Sequence, residues 1–367
     1  MIKTLDRYIL RGFITNYLIC MGVLIGLYVV LDLFVNLDEF TEIESQGAWQ
    51  TMTKIINYYG HNFFLYFAQL AGVIILLAAC FTLGRFYRTN ELTAVLASGT
   101  SLYRVAAPVL VAAVLMNGVY FLDQEFVIPR IADKLSRKHA DIDGKFSFAV
   151  WFQPDHDNAL LSASMFSPRS KEMRGMIVME RDEAGRMTGI IKADRARWDE
   201  ERRSWRLENG YRMTPGADVA TGAADHLGHD AVFEYESDMT PKELSLLQAT
   251  LWTSFLSLPQ LEKLQDRYAG AGAGEFIKVK HKRMTTIFMN MILLCLGIPF
   301  FLNRERPSVL VAGGKCLLAC GACYAATFVC QSVDLTTLGL QNPALPAWLP
   351  VLIFGPLAVV VIDGIKT

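Results

Sequence analysis

The stretch between residues 124 and 282 contains no cysteine, although the chain has seven: Cys20, Cys80, Cys295, Cys316, Cys320, Cys323 and Cys330. That absence excludes a disulfide framework for this stretch, which must be held by a core of its own whatever the redox compartment. A phosphate loop of the GxxxxGK[ST] form is missing too, because Gly314-Lys315-Cys316 lacks the upstream glycine and the magnesium-binding hydroxyl. There is no H-E-x-x-H pair, and His226-Leu227-Gly228-His229 sits in a Gly- and Asp-rich run that reads as a solvated loop. Nor is there an excess of either charge: 35 Lys and Arg stand against 36 Asp and Glu, a net −1 that gives no electrostatic footprint for nucleic acid. The residues offer no catalytic constellation and no metal ligand set, so uphill work by this chain draws its energy from a partner.

Hydrophobic residues are what is present in quantity, 52% of the 367, and they concentrate in three segments, then three more after a polar stretch. The segments are Phe13–Phe34, Asn62–Leu83, Tyr103–Leu122, Met284–Leu302, Val309–Val333 and Leu345–Ile362. A helix rises about 1.5 Å per residue and the hydrocarbon core is about 30 Å thick, so roughly 20 apolar residues span it. The first five meet that length; the sixth is short and holds Pro350 and Pro356, so it spans, tilts or kinks. The first segment is too long for a signal peptide and no small-x-small site follows it, so it reads as a retained helix.

Short-loop cations set the orientation. Lys3, Arg7 and Arg11 precede the first segment, Arg85, Arg88 and Arg104 flank the second loop, and Arg304, Arg306 and Lys315 flank the fourth. The first loop offers only Lys54 against Asp38, Glu39, Glu42 and Glu44. Both termini are therefore expected in the cytoplasm and the polar domain outside. Lys278, Lys280, His281, Lys282 and Arg283 abut the outer end of the fourth segment, an outward basic cluster that needs its own explanation. Asp32 and Asp123 lie within about two turns of the outer interface, close enough to reach headgroups or water. Cys316, Cys320 and Cys323 align on one helix face with Gly313, Gly314 and Gly321 nearby; small residues that let helices approach closely explain them better than a metal or redox site.

The polar stretch reads as an inserted all-β domain. KFSFAVWF (145–152), GMIVME (175–180), TGIIKADRARWD (188–199), WRLENGYRM (205–213) and AVFEYESDM (231–239) have strand length and composition, with a hairpin turn at Asp182-Glu183-Ala184-Gly185. Short strands with turn signals every eight to twelve residues predict an antiparallel sandwich or roll. Residues 242–268 then read as helical, with Ser257 before Pro259 as a start, and AGAGAG (269–274) as a flexible joint that allows the β-domain to move on the membrane helices. The domain organisation is thus 1–123 helical, 124–275 β-domain with helical connector, and 276–367 helical.

The loop after the second segment reads as a short helix with Asn90 as cap and Gly99 as stop, its Leu92, Val95 and Leu96 on one face. It is a docking element for a cytoplasmic partner or an amphipathic element lying in the interface. Its sequence, RTNELTAVLASGTSLYR (88–104), resembles the most recognisable segment of the lipopolysaccharide-export permease family, the LptF/LptG type also called YjgP/YjgQ. Leu5-Asp6-Arg7-Tyr8, the Ala193…Ala196…Trp198-Asp199 run, Trp205-Arg206-Leu207-Glu208-Asn209-Gly210, Ser257…Leu261 and Leu296-Gly297-Ile298-Pro299 fit as well, so the likeness covers nearly the whole chain in order.

The resemblance implies a permease subunit in the inner membrane of a Gram-negative bacterium, with a jellyroll-like periplasmic domain. Its implied partners are a second permease of the family (an LptF/LptG heterodimer), a dimeric LptB-like cytoplasmic ATPase, an LptC/LptA-like jellyroll bridge, and lipopolysaccharide. ATP and magnesium then belong to the ATPase, and this chain needs no cofactor. By the same resemblance Arg88, Glu91, Leu92, Ala97 and Gly99 form the ATPase-coupling element. Apolar side chains of the first and fifth segments line an acyl-chain cavity, and Lys278, Lys280, Lys282 and Arg283, with Lys54 in the first loop, are candidates for meeting lipid phosphates. Basic residues at a helix end also snorkel to ordinary headgroups. The G-type subunit is expected to carry lysines just outside the first segment, where this chain reads Asn36-Leu37-Asp38-Glu39-Phe40-Thr41-Glu42, so the F-type fits slightly better. Two rivals stay open: a mechanotransmission subunit, which a polar, closed interface between first and fifth segments favours, and a membrane-anchored scaffold whose β-domain recruits partners.

Overall fold

The computed structural model describes residues 4–36, 48–135, 147–182, 184–214, 228–246, 252–267, 273–302, 309–332 and 342–364. Among these, six helices are long and apolar enough to cross a membrane. They are built on α1 (Thr4–Val35), α2 (Ala48–Arg88), α4 (Leu102–Leu122), α8 (Ala273–Gly297), α9 (Val309–Ser332) and α10 (Leu345–Asp363). The sixth segment is one helix despite its two internal prolines, Pro350 and Pro356. The 41 residues of α2 run about 60 Å at helical rise, twice the hydrocarbon thickness, so it projects beyond the membrane on its N-terminal side.

Packing follows the apolar faces. Helix α1 lies on α2 and α4; α8 sits centrally against α2, α4, α9 and α10; and α9 touches α2, α8 and α10. Ile9, Phe13, Ile74, Ile75, Leu83, Phe86 and Leu102 are fully buried where the first three spans meet. The bundle is also pinned by polar pairs, which gain from the absence of competing water in the membrane. Asn16 Nδ2 donates to Thr82 Oγ1 (2.9 Å), and Asn290 Nδ2 donates to Asn117 Oδ1 (2.9 Å). The second pair occupies the space over Gly72, where an added Cβ would lie 2.2 Å from Asn290 Oδ1.

Helix α4 does not stop at the membrane. It passes through a π-helical turn, Asp123–Val127, into the amphipathic α5 (Ile128–Leu135), so the boundary drawn after residue 123 falls inside a continuous helix. The inserted domain is one antiparallel sheet of β1 (Phe148–Pro154), β2 (Leu160–Ser167), β3 (Glu172–Arg181), β4 (Met187–Asp199), β5 (Ser204–Glu208), β6 (Tyr211–Thr214), β7 (Gly228–Ala231) and β8 (Glu234–Glu236). Strand β2, LLSASMFS, has no counterpart in the sequence reading, because its serines blunt the apolar alternation; it pairs with β1 and β3. WRLENGYRM is not one strand. Asn209 takes a left-handed conformation (φ 54°) and splits it into β5 and β6, which pair with different stretches of β4.

Strands β1 to β5 pair in sequence, β8 pairs with β5, and β6 bridges β4 to β7; the sheet curls. In a flat sheet β2 and β5 would stand about 14 Å apart, three spacings of about 4.8 Å. Yet Phe166 on β2 and Trp205 on β5 meet edge to face at 6.3 Å. Trp205, Phe166, Leu161, Met173 and Val178 fill the interior, closed at one side by Leu244 of α6 (Pro241–Leu246). Helix α6 starts with a reciprocal capping box: Thr240 N–H donates to Glu243 Oε2 (3.1 Å) and Glu243 N–H to Thr240 Oγ1 (3.3 Å).

The connector forms α6, a turn at Trp252–Phe255 and α7 (Leu258–Arg267). Ser257 stands at the start of α7 as expected, and its N–H donates to Gln260 Oε1 (2.8 Å). Residues 269–272 of the Gly-rich run lie outside the described residues, and Ala273 and Gly274 already belong to α8. A separate apolar core holds the junction: Ile128 and Ala132 of α5, Leu256, Leu261 and Leu264 of the connector, and Phe276 of α8.

Candidate functional site

The second loop folds as α3 (Glu91–Ala97). Asn90 precedes it with φ 57°, making the reversal after α2 without capping through its side chain. Gly99 does end it. At φ +76° its N–H donates to Leu96 O (2.9 Å) and Thr100 N–H to Val95 O (3.3 Å), the two bonds of a Schellman stop.

The five residues expected to couple to an ATPase separate by what they touch. Leu92 is buried in the helical core, so it anchors α3 rather than facing a partner. Glu91 Oε1 accepts from Tyr8 Oη (3.3 Å) and Thr89 Oγ1 (2.8 Å), while Arg85 Nη2 donates to Tyr8 Oη (3.2 Å) with its guanidinium 5.5 Å from the Tyr8 ring centre. Arg88, Ala97 and Gly99 are exposed, as are Thr93 and Ala94. The outward face of α3 is thus small-residued and shallow, and the start of α1 holds its inward face.

At the other membrane side the basic cluster divides. Lys282 is exposed, Lys280 Nζ bonds Glu262 Oε1 of α7 (2.5 Å), and Lys278 is half-buried. Arg283 points inward, its side chain 4% exposed, and pairs through Nη1 with Glu125 Oε2 (3.5 Å). The side chain of Lys54, on α2, and residues 37–47 lie outside the described residues.

Around Glu125 lies a clamp that sequence reasoning missed. Both Glu125 oxygens accept from the Leu258 N–H (3.0 and 3.1 Å), one of the first-turn donors a helix cannot satisfy internally. Ser254 O accepts from Arg283 Nη2 (3.2 Å) and Gln124 Nε2 (2.9 Å). One carboxylate therefore ties the π turn after α4, the start of α7 and the body of α8 three turns in. The only sequence signal was a Glu two residues after Asp123 at the end of an apolar run. Asp32, by contrast, accepts from Tyr59 Oη (2.9 Å) and Tyr66 Oη (3.3 Å), which turns it toward α2 rather than to headgroups. Asp123 is buried, not at the water boundary.

Apolar faces remain uncovered on several spans, α4 and α10 among them, and on the two assigned to the acyl-chain cavity. On α1, Leu18, Ile19, Val23, Leu27, Leu31 and Phe34 are exposed; on α9, Leu310, Leu317, Leu318, Phe328 and Val329. No packed interface joins α1 to α9 among the described residues, and α2 lies between them.

A family model, lipopolysaccharide export system permease LptF/LptG, matches residues 7–363. The chain belongs to that family. No curated protein matches it. As a member of the LptF/LptG family it is a multi-pass membrane permease for lipopolysaccharide export, with an antiparallel β-domain inserted between its third and fourth spans.

Proposed function

We propose that this chain extracts lipopolysaccharide from the bacterial inner membrane and hands it to a periplasmic jellyroll bridge, powered by a separate dimeric ATPase and paired with a second LptF/LptG permease. Both termini then face the cytoplasm and the β-domain the periplasm. The observation that supports this most is the pair of uncovered apolar faces on α1 and α9, held apart by α2. A second permease facing them would enclose an apolar chamber suited to acyl chains. A mechanotransmission subunit calls for a polar, closed interface between those helices, and no extensive interface joins them among the described residues.

In this reading α3 seats in the ATPase through Ala97 and Gly99, with Arg88 at the end of α2 beside it, while Glu91 and Leu92 bind α3 to α1 and the bundle. Movement imposed on α3 then passes to α1 through Tyr8. Lys278, Lys280, Lys282 and Lys54 meet lipid phosphates; Arg283 is committed to Glu125 and positions the β-domain instead. The test is affinity purification from native membranes with mass spectrometry of proteins and lipids. The expected result is one complex of an ATPase, a second six-span permease and lipopolysaccharide. The protein alone, or with an ATPase but neither second permease nor lipopolysaccharide, overturns the reading.

A further inference from the structure

In the membrane half away from the β-domain, a cavity of about 590 Å³ opens between α2 and α9. Leu76, Leu77 and Phe81 form one wall, Leu310 and Leu317 the other, and Phe301 the end after α8. Part-way along it Cys80 and Cys316 meet, sulfur to sulfur at 3.6 Å. Apart from these thiols the lining is apolar until the mouth, where Arg85 and Arg88 stand one turn apart. We propose that this cavity binds one acyl chain of an anionic glycerophospholipid from the leaflet opposite the β-domain, with its phosphate on the two arginines.

Length supports this occupant. From Leu76 to Arg88 the α2 axis advances about 18 Å, while half of an approximately 30 Å hydrocarbon core is about 15 Å. The cavity therefore runs one leaflet deep and ends in cations at headgroup level. Charge supports it too: Arg88 is exposed and unpaired among the described residues, and a guanidinium binds phosphate by paired, charge-assisted hydrogen bonds.

The glycines give an independent argument. Gly313 and Gly314 line the cavity, and a Cβ added at either meets nothing within 4 Å. Close packing between helices of this chain, the role expected from the sequence, does not account for them. Their smallness leaves room that this chain does not fill. The site shares Leu310 and Leu317 with the α9 face of the proposed lipopolysaccharide chamber and lies at its end away from the β-domain, where the two arginines stand.

The experiment is native mass spectrometry of the full-length protein in its complex, exposed to phosphatidylglycerol or phosphatidylethanolamine of identical chains. Wild type should retain the anionic lipid about tenfold better. Gly314→Leu, which fills the cavity, should lower retention of both lipids about tenfold. Arg88→Ala should erase the headgroup preference while keeping the acyl chain. Gly321→Leu is the matched control, since Gly321 also has open space around it but does not line the cavity, and it should retain lipid as wild type does. Equal retention in Gly314→Leu and wild type overturns the proposal. So does loss of the second permease from Gly314→Leu with lipid retention unchanged, which would mean that a partner helix fills the space. Lipopolysaccharide recovered in the same spectra reports separately on the export reading, so the two can fail independently.

Discussion

Replacing Glu125 by alanine should release the connector from the membrane helices. Glu125 and Arg283 are both deeply buried, with side chains 12% and 4% exposed. Removing one partner of a buried pair costs about 3–5 kcal/mol, because the other charge is left uncompensated. Here the Leu258 N–H also loses both of its acceptors. A cost near 4 kcal/mol is about a thousandfold in an equilibrium, since each 1.4 kcal/mol is tenfold. The effect should be local, because the bundle and the β-domain each keep a core of their own. Hydrogen exchange at Leu258 reads it directly, since a first-turn amide has no protection from its own helix. Glu125→Ala should raise exchange there and across α7 by two to three orders of magnitude, with Arg283→Met close behind. Replacing both, as Glu125→Gln with Arg283→Met, removes the stranded charge and should return most of the protection outside Leu258 itself. Unchanged exchange in Glu125→Ala would refute the clamp, as would a double variant no better protected than the singles.

Three other outcomes are expected. Gly72→Ala forces Asn290 off its bond to Asn117 and should destabilise the bundle by about 1–3 kcal/mol, read as a lowered thermal midpoint in detergent, with Asn290→Ala on the same background restoring much of it. Glu91→Lys breaks the contacts with Tyr8 and Thr89 and should leave the fold intact while uncoupling ATP hydrolysis from lipid release; a variant fully active in release would remove the role given to α3. In the β-domain, the Arg186 backbone N–H holds the Asp182 carboxyl below its ordinary range, the Arg202 backbone N–H does the same for Asp199, Lys171 for Glu200 and the Ser204 hydroxyl for Glu234. Carboxyls lowered in the folded state bind protons more readily when unfolded, so their stabilisation is complete above the ordinary carboxylate range and is lost as pH falls through the lowered values. Exchange in β3–β5, corrected for intrinsic rate, should therefore rise below about pH 4 and stay flat between pH 6 and 8.

The sequence by itself determined the six spans, the inserted β-domain and the short loop helix. Each is written locally, as a run of roughly 20 apolar residues, as strand-length pieces between turns, or as a polar start and a glycine stop. Ser257 at the start of α7 and Gly99 ending α3 were legible for the same reason. Strand β2 was not, because Ser162 and Ser164 interrupt its alternation and only its neighbours on both sides make it a strand. Nor was the break at Asn209, which exists because β5 and β6 meet different stretches of β4. Contact between residues distant in the chain decided the rest. Arg283 stands among four other basic or histidine residues and reads as one of an outward cluster, yet Glu125, 158 positions earlier, turns it inward. Leu92 lies on an apparent docking face and is instead swallowed by the bundle. Gly313 and Gly314 read as packing residues, and only the positions of α2 and α9 show the empty space beside them. A local pattern states what a residue can do, whereas burial and pairing depend on what the rest of the chain brings to it.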